Sequence, residues 1–243
     1  MTSPDSTRVT DDSPDSDGDT PLPPLALDID GTLTDGTGQI DPRVFSVLPE
    51  WPAPVVLATG KAFPYPVALC GFLGMPERVI AENGGVTLVD GAVAFEGDPA
   101  TVERATAAFR DRGGDLGWDE ADTVNRWRET EVAARLTADE SLLRDVAAEF
   151  GLELLDTGYA YHLKTPDATK GRGLQRVAGA LDLDPASFVA IGDSENDEPT
   201  FAVAGRSFAV ANADETARAG ADVVLEDGYA DGTLAALRRL RAE

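Results

Sequence analysis

The sequence predicts an α/β protein with a three-layer core built on a parallel sheet, and a smaller α+β domain inserted into that core. Three observations lead to this fold class. Short apolar runs of strand length alternate with helix-like segments, which is typical of strands covered on both faces. Residues 86–162 have a different texture, in which helix-like segments precede paired extended segments. A chain of 243 residues is long enough for one large domain with a smaller one attached.

The order of these segments sets the predicted domain boundaries. Residues 1–22 are rich in Ser, Asp, Thr and Pro, with almost nothing to bury, and are predicted to be a disordered acidic tail. The core is expected to comprise residues 23–85 and 163–243, and the inserted cap domain residues 86–162. Six apolar runs are predicted as core strands. They are LALDI (25–29), PVVLA (54–58), RVIAE (78–82), SFVAI (187–191), RSFAVA (206–211) and ADVVL (221–225).

The cap has a pattern of its own. Helix-like residues 99–113 precede the extended run 123–136, and helix-like residues 138–151 precede extended runs at 152–156 and 159–163. We expect two rounds of one helix followed by two strands, which is the arrangement of a small α+β domain.

The net charge is −24, and only three basic residues are lysines: Lys61, Lys164 and Lys170. Such a charge repels nucleic acids and anionic membranes, so neither is expected as a partner. An acidic, lysine-poor surface is also typical of proteins that work at high salt, where self-repulsion is screened. The alternative is an ordinary acidic mesophilic enzyme, and a stability that does not change between low and molar KCl would favour it.

Targeting and redox signals are few. No apolar stretch approaches the roughly 18 residues that cross a bilayer, and the N-terminus lacks a signal-peptide pattern, so we expect a soluble cytoplasmic protein. The single cysteine, Cys70, excludes an internal disulfide and a multi-cysteine zinc site.

Polar residues stand where predicted strands end or helices begin. The run LALDIDGTLTD ends on Asp28 and Asp30, two carboxylates that repel each other unless a cation or a reaction uses them. Three further stretches have the same position: VVLATGK with Thr59 and Gly60, TPDATKGRGL with Lys170, and FVAIGDSEND with Asp193 and Asp197. The carboxyl ends of parallel strands share one rim, so we expect these side chains to lie close together.

The separations along the chain support a common rim. Asp28 and Thr59 are 31 residues apart, and Lys170 and Asp193 are 23 apart, each close to one strand–helix–strand step. Thr59 and Lys170 are separated by 111 residues, and the excess is the inserted cap, expected to cover the rim as a lid.

This residue set indicates phosphoryl chemistry. Four aspartates offer only oxygen ligands, which suit Mg²⁺ better than zinc. The Thr59 hydroxyl, the Lys170 ammonium and free N–H groups at helix starts favour a bound anion. The only histidine, His162, lies in an apolar run and is expected to be a core or surface residue, and Cys70 lacks the arginine of a cysteine phosphatase. A carboxylate nucleophile remains, with the second aspartate as acid and base.

The stretches DIDGTLTD, ATGK, Lys170 and GDSENDEPTF together resemble the four motifs of the haloacid dehalogenase superfamily of phosphohydrolases. The stretch IAENGG (80–85) is similar to the one before the cap in the sugar-phosphatase-like branch of that superfamily. The resemblance covers residues 25–227 and implies a Rossmann-like core. Two departures are Lys61, where many relatives carry Arg, and EPTF (198–201), where a methionine is common.

The resemblance also implies individual roles. Asp28 would be the nucleophile and Asp30 the acid and base, while Thr59, Gly60 and Lys170 would hold the phosphoryl oxygens. Mg²⁺ would be bound by the Asp28 side chain, the Asp30 carbonyl and Asp193, with Asp197 as a further ligand or an outer-shell partner. Asn196 would help to orient the loop. These roles would make the protein an enzyme that acts on a small phosphorylated metabolite, as a monomer or homodimer.

The short cap is most similar to that of archaeal phosphoglycolate phosphatases, which makes 2-phosphoglycolate the expected substrate. A sugar- or polyol-phosphate phosphatase is the alternative within the class. A phosphotransferase shares every motif, and a non-catalytic binding module would have lost a catalytic acid. Arg126 and Arg128, at alternate positions of a predicted cap strand, either both face the site as a cationic fork or both point away.

Overall fold

The computed structural model describes residues 21–243. The predicted tail, apart from Pro21 and Leu22, lies outside the described residues. Within residues 21–243 no helix is long and apolar enough to cross a lipid bilayer.

The described strands and helices follow in chain order. The strands are β1 (Leu25–Asp28), β2 (Val55–Ala58), β3 (Arg78–Ala81), β4 (Val86–Val89), β5 (Ala92–Phe95), β6 (Glu131–Arg135), β7 (Glu153–Asp156), β8 (Ala160–Lys164), β9 (Val189–Gly192), β10 (Arg206–Ala209) and β11 (Val223–Val224). The helices are α1 (Val44–Val47), α2 (Pro64–Leu73), α3 (Pro99–Asp111), α4 (Glu140–Phe150), α5 (Lys170–Ala180), α6 (Glu198–Phe201), α7 (Glu215–Gly220) and α8 (Tyr229–Ala242).

The larger sheet has the strand order β11-β10-β9-β1-β2-β3-β4-β5, and its first six strands in that order run parallel. All six predicted core strands are therefore confirmed, together with the α/β class. Alternate residues of β1 enter different cores: Leu25 and Leu27 belong to the cluster with α2 and α8, and Ala26 belongs to the cluster with α5. Helices thus cover both faces of the sheet, which gives the three layers expected from the sequence.

Residues 86–95, predicted as the start of the cap, form two further strands of the larger sheet. They form the antiparallel hairpin β4–β5, and β4 pairs with β3. The turn residues Asp90 and Gly91 both have a positive φ, at 47° and 92°, as a tight hairpin turn of matching twist requires. We propose a cap that begins only after β5.

The inserted segment forms a second, three-stranded antiparallel sheet in the order β6-β8-β7. Helices α3 and α4 pack on it and bury Val102, Phe109, Leu143 and Val146 in a separate core cluster. Asp98 and Asp139 cap the two helices by accepting a backbone N–H in the first turn.

The extended run predicted at 123–136 is a strand only at β6, and residues 123–130 form turns and bends instead. Two side chains form hydrogen bonds with backbone groups that a neighbouring strand would otherwise have paired with. The Glu82 carboxylate accepts the backbone N–H groups of Glu129 and Thr130 at 2.8 to 3.1 Å. The amide of Asn125 donates to the carbonyl of Ala133 and accepts its N–H. The segment 123–130 is called the strap below.

Candidate active site

Apart from Arg126, the residues predicted for the site meet at the carboxyl edge of the parallel strands. Leu27 pairs with Leu57 on one side and with Ile191 on the other, which aligns the ends of β1, β2 and β9. The rim and the cap enclose a cavity of about 380 Å³. Its lining includes Asp28, Asp30, Thr59, Gly60, Arg128, His162, Asp193 and Asn196.

Lys170 is the buried cation of the site. Its helix α5 begins at this residue because Thr169 caps it, accepting the backbone N–H of Arg172 at 3.2 Å. The ammonium donates to Oδ1 of Asp28 and Oδ1 of Asp197, each at 2.7 Å. Burial lowers the pKa of Lys170, but the two carboxylates raise it by more than burial lowers it. The pKa is therefore above its ordinary value, and the side chain stays protonated.

The carboxylates have unequal surroundings. Burial raises the pKa of Asp28 well above its ordinary value, and Lys170 opposes that rise only in part. Burial, with the charge of Asp197, raises the pKa of Asp193 to about 7. A cation bound among these groups would remove the energetic cost of ionising them, which answers why a buried strand ends on carboxylates.

The donor set fits a hard cation. Carboxylate oxygens of Asp28, Asp193 and Asp197 lie within 4.8 Å of one another. Oδ2 of Asp28 is buried and lacks a hydrogen-bond partner among the described residues. An all-oxygen set that includes an unpartnered carboxylate oxygen suits Mg²⁺. Asp197 has less to offer, since Oδ1 accepts from Lys170 and Oδ2 accepts the N–H groups of Asp193 and Ser194.

Gly31 allows this arrangement to form. Its φ of 82° lies in the left-handed region, and a Cβ there would collide with the carboxylate of Asp193. The glycine of DIDGT therefore lets the loop after β1 pass close to the loop after β9. Beside it, Asp30 is half exposed and pairs with Lys61 at 3.1 Å.

The loop after β2 presents the expected hydroxyl. Thr59 is buried, with 1% of its surface exposed, and its Oγ1 accepts the backbone N–H of Lys61 at 3.1 Å. Gly60 follows it at the cavity wall. A Cβ at Gly60 would approach the side-chain oxygen of Asn83 to 2.9 Å, so this loop packs tightly against the residues after β3.

The two cap arginines occupy different positions. Both lie in the strap and outside any strand, so the prediction that they share a strand face is wrong. Arg128 lines the active-site cavity, and its Nη1 donates to the carbonyl of Gly60 at 2.9 Å. Arg126 is exposed and does not line this cavity; it lines a second one on the cap with Glu103 and Arg110, which Arg128 also borders.

Sequence reasoning missed a group of buried residues behind the cavity. Glu82 and Asn83 follow β3, and Glu131 begins β6. His162, expected to be a plain core or surface residue, is 4% exposed and lies against the cavity. The only available signal was the ENGG stretch, whose adjacent glycines indicate an unusual backbone.

Mg²⁺ is expected to raise the melting temperature more at pH 8 than at pH 5. Because the pKa of Asp193 rises from 3.8 to about 7 on folding, the protonated carboxyl stabilises the metal-free fold at low pH. This contribution is lost as the pH rises through about 7, where ionised carboxylates are free to bind the metal. Thermal unfolding with and without Mg²⁺, at constant molar KCl, measures the difference.

Asp193→Asn is the control for this measurement, because it removes the titrating group. It should reduce both the Mg²⁺-dependent shift and its change with pH. An equal Mg²⁺-dependent shift at pH 5 and pH 8 in the unmodified protein would contradict the expectation.

Known proteins share both the sequence and the fold. A family model described as haloacid dehalogenase-like hydrolase matches residues 148–237. The chain is 64% identical over 222 residues to a phosphoglycolate phosphatase of Halorubrum lacusprofundi, covering 90% of this chain and 98% of that protein. It is 50% identical to a phosphoglycolate phosphatase of Halobacterium salinarum, covering 92% and 100%. A crystal structure of a Thermoplasma acidophilum protein has a TM-score of 0.78 at 24% identity, covering 91% of this chain and 99% of that one.

The chain therefore belongs to the haloacid dehalogenase superfamily of hydrolases. The similarity to the solved structure supports the fold only. The sequence similarities extend over nearly the whole length of each relative. Within the superfamily it is a phosphoric monoester hydrolase. The protein is halophilic. Its composition is acidic and poor in lysine, with a net charge of −24, and it has similar proteins in Halorubrum and Halobacterium.

Proposed function

We propose that this phosphatase hydrolyses 2-phosphoglycolate to glycolate and phosphate through a phosphorylated Asp28. The observation that carries the proposal is the 64% identity to a protein named phosphoglycolate phosphatase, over 98% of that protein's length. The cavity supports it, because at about 380 Å³ it suits a small substrate, and its lining includes Thr59, Gly60 and the cap residue Arg128.

In the first step Asp28 attacks phosphorus in line with the ester oxygen, whose bond to phosphorus breaks. Asp30 gives its proton to the departing glycolate oxygen. The Thr59 hydroxyl, the N–H of Gly60 and the Lys170 ammonium hold the phosphoryl oxygens. The Asp28 and Asp193 carboxylates and the Asp30 carbonyl would hold Mg²⁺, whose charge would offset that of the carboxylates and the phosphoryl group.

In the second step Asp30, now ionised, takes a proton from water, which attacks the phosphorus of the acyl phosphate. The bond between phosphorus and the Asp28 oxygen breaks, which returns the free carboxylate. In the present conformation Asp30 is paired with Lys61. A bound phosphoryl group would compete for that ammonium and leave Asp30 free to move its proton.

Two further residues have supporting roles in the proposal. Asp197 holds Lys170 and the loop after β9 through its hydrogen bonds, so we assign it to the outer shell of the metal. Asn196 orients the same loop by accepting from Ser194 Oγ at 2.9 Å. A cytoplasmic location and a monomeric or homodimeric state remain predictions.

The first test is phosphate release at molar KCl with Mg²⁺, using 2-phosphoglycolate, hexose phosphates and glycerol phosphates. A clear preference for 2-phosphoglycolate that is lost in Asp28→Asn is expected. Turnover spread over the sugar phosphates would reject the proposed substrate. Phosphate transfer that requires an added acceptor would reject hydrolysis in favour of a phosphotransferase.

Arg128→Gln is expected to lower kcat/KM for 2-phosphoglycolate by about 10- to 100-fold, the loss of one charge-assisted hydrogen bond. The reason is that Arg128 reaches the cavity from the cap and would receive the substrate carboxylate. 2-Hydroxyethyl phosphate lacks that carboxylate, so its kcat/KM should fall much less.

Arg126→Gln is the matched control, because Arg126 lies on the same strap but outside this cavity. It should leave the ratio of the two kcat/KM values unchanged. Equal losses for both substrates in Arg128→Gln would show that this arginine does not recognise the carboxylate.

A further inference from the structure

A buried polar cluster joins the cap to the loops of the core. Asn83 donates from Nδ2 to Oε2 of Glu131 at 2.8 Å and accepts at Oδ1 from Nδ2 of Asn196 at 2.9 Å. Its backbone N–H donates to the carbonyl of Thr59 at 3.2 Å. One residue thus contacts three parts of the site. They are the loop after β2, which carries Thr59 and is called the phosphate loop; the loop after β9, which carries Asp193 and is called the metal loop; and the first residue of β6 in the cap.

The backbone at this point is unusual. Glu82 and Asn83 have φ values of 52° and 54°, and Gly84 has 100°, so three successive residues are in the left-handed half of φ. Such a conformation has an energetic cost for a residue with a side chain, and such residues cluster at functional sites. Asn83 is only 1% exposed, so the conformation aims its amide into the protein and not at solvent.

The partners fix the direction of the Asn83 amide. Its oxygen has to face the NH₂ group of Asn196, and its NH₂ group has to face the carboxylate of Glu131. Asn196 in turn accepts from Ser194, within the loop that carries Asp193. The orientation of the metal loop is thereby tied to the side chain of Asn83.

On the cap side, Glu131 links Asn83 to two residues that line the cavity, His162 and Arg128. Burial raises its pKa, but His162, Arg128 and Asn83 lower it further, to about 2, so the carboxylate is ionised. Its Oε1 accepts from His162 Nδ1 at 3.0 Å and pairs with Arg128 Nη1. Arg128 is therefore held at the cavity by a carboxylate that Asn83 itself orients.

We propose that Asn83 is a positioning residue that couples the loop carrying Asp193 to the cap residue Arg128, so that both take their position from one side chain. The inference rests on the proposed phosphatase site but not on the identity of the substrate. It concerns a residue outside the groups assigned to binding or chemistry above.

Asn83→Gly tests the side chain without adding backbone strain, because glycine adopts the left-handed conformation freely. The expected result is weaker Mg²⁺ binding, by up to the roughly tenfold loss that follows removal of a direct hydrogen-bond partner of a metal ligand, because Asn83 acts on the loop through Asn196. It is measured by calorimetry without substrate. A loss of similar size is expected in kcat/KM for 2-phosphoglycolate and for p-nitrophenyl phosphate.

Asn83→Asp separates the two sides of the coupling. An aspartate tolerates the same backbone and keeps an acceptor for Asn196, but it places a second carboxylate against Glu131. Mg²⁺ binding should stay closer to that of the unmodified protein than in Asn83→Gly, while KM for 2-phosphoglycolate rises. The double variant Asn83→Asp with Glu131→Gln restores a donor–acceptor pair in the reverse direction, and should recover part of KM.

A purely structural role gives a different set of results. The inference is overturned if Asn83→Gly lowers the melting temperature but leaves Mg²⁺ binding and both kcat/KM values within about twofold. It is also overturned if the reversed pair recovers stability without recovering KM. If p-nitrophenyl phosphate is hydrolysed and 2-phosphoglycolate is not, the proposed substrate fails, and the Asn83 comparison is decided on Mg²⁺ binding and the synthetic ester.

Discussion

Replacing Lys170 with methionine is expected to lower the free energy of unfolding by about 3 to 5 kcal/mol and to abolish turnover. The ammonium lies between Asp28 and Asp197, whose side chains are 6% and 4% exposed. Without it, two buried carboxylates face each other with no counter-ion. The loss should be larger at pH 8 than at pH 5, because protonation relieves the repulsion. Urea unfolding in molar KCl, without Mg²⁺, measures it.

Lys164→Met is the matched control for this prediction. Lys164 is also buried, with 3% of its side chain exposed, but it pairs with Glu153, whose side chain is 41% exposed and stays hydrated. Its Nζ donates to the carbonyl of Ala168 at 2.7 Å. We expect a smaller loss of stability with little change between pH 5 and pH 8, and turnover retained. Equal losses in the two variants, with the same pH dependence, would mean that the buried carboxylates do not govern the effect.

The site residues near the strand ends could be predicted because a simple rule governs them. Parallel strands of similar length align their carboxyl ends, so the residue after each apolar run falls on one rim. Asp28 ends β1, Thr59 and Asp193 come directly after β2 and β9, and the structure brings the three to one cavity. The rule needs only the positions of the strands, which the apolar runs indicate directly.

The sequence held a signal for the hairpin at residues 86–95, which the prediction assigned to the cap. Residues 86–95 read VTLVDGAVAF, in which Asp90 and Gly91 form the type of turn that joins adjacent antiparallel strands. An antiparallel hairpin at the edge of a parallel sheet interrupts the strand–helix alternation used to find the core. The change of texture therefore marked the end of the alternation and not the end of the sheet.

The strap and the Asn83 cluster depend on tertiary contacts that local patterns do not contain. Residues 129 and 130 alternate like a strand, but their N–H groups bind the Glu82 carboxylate, 47 and 48 residues earlier in the chain. Asn83 and Glu131 are also 48 residues apart. Sequence periodicity describes neighbours within one element. It therefore gives no indication of which distant side chain will hydrogen-bond to a given backbone N–H or carboxylate.

Asp28→Asn is expected to reduce kcat by about 10⁴-fold or more, the scale seen when a nucleophile is removed, without lowering the melting temperature of the metal-free protein. The reason for the retained stability is that burial raises the pKa of Asp28, so its ionised form costs free energy in the folded state. This free-energy cost of the ionised Asp28 carboxylate is largest at high pH. The neutral amide of Asp28→Asn removes it, so any gain in stability should be largest there. Lys170 keeps Asp197 as its second partner.

The measurement joins kinetics to chemical trapping. Borohydride reduces an acyl phosphate, so the unmodified enzyme quenched during turnover should yield homoserine at position 28, and Asp28→Asn should not. Asp222→Asn is the control, because this carboxylate binds Ser207 at 2.8 Å in the core sheet, away from the cavity. Its kcat should be unchanged. If Asp28→Asn kept turnover within about tenfold, another group would be the nucleophile, because an amide at this position cannot form the acyl phosphate on which the proposed reaction depends.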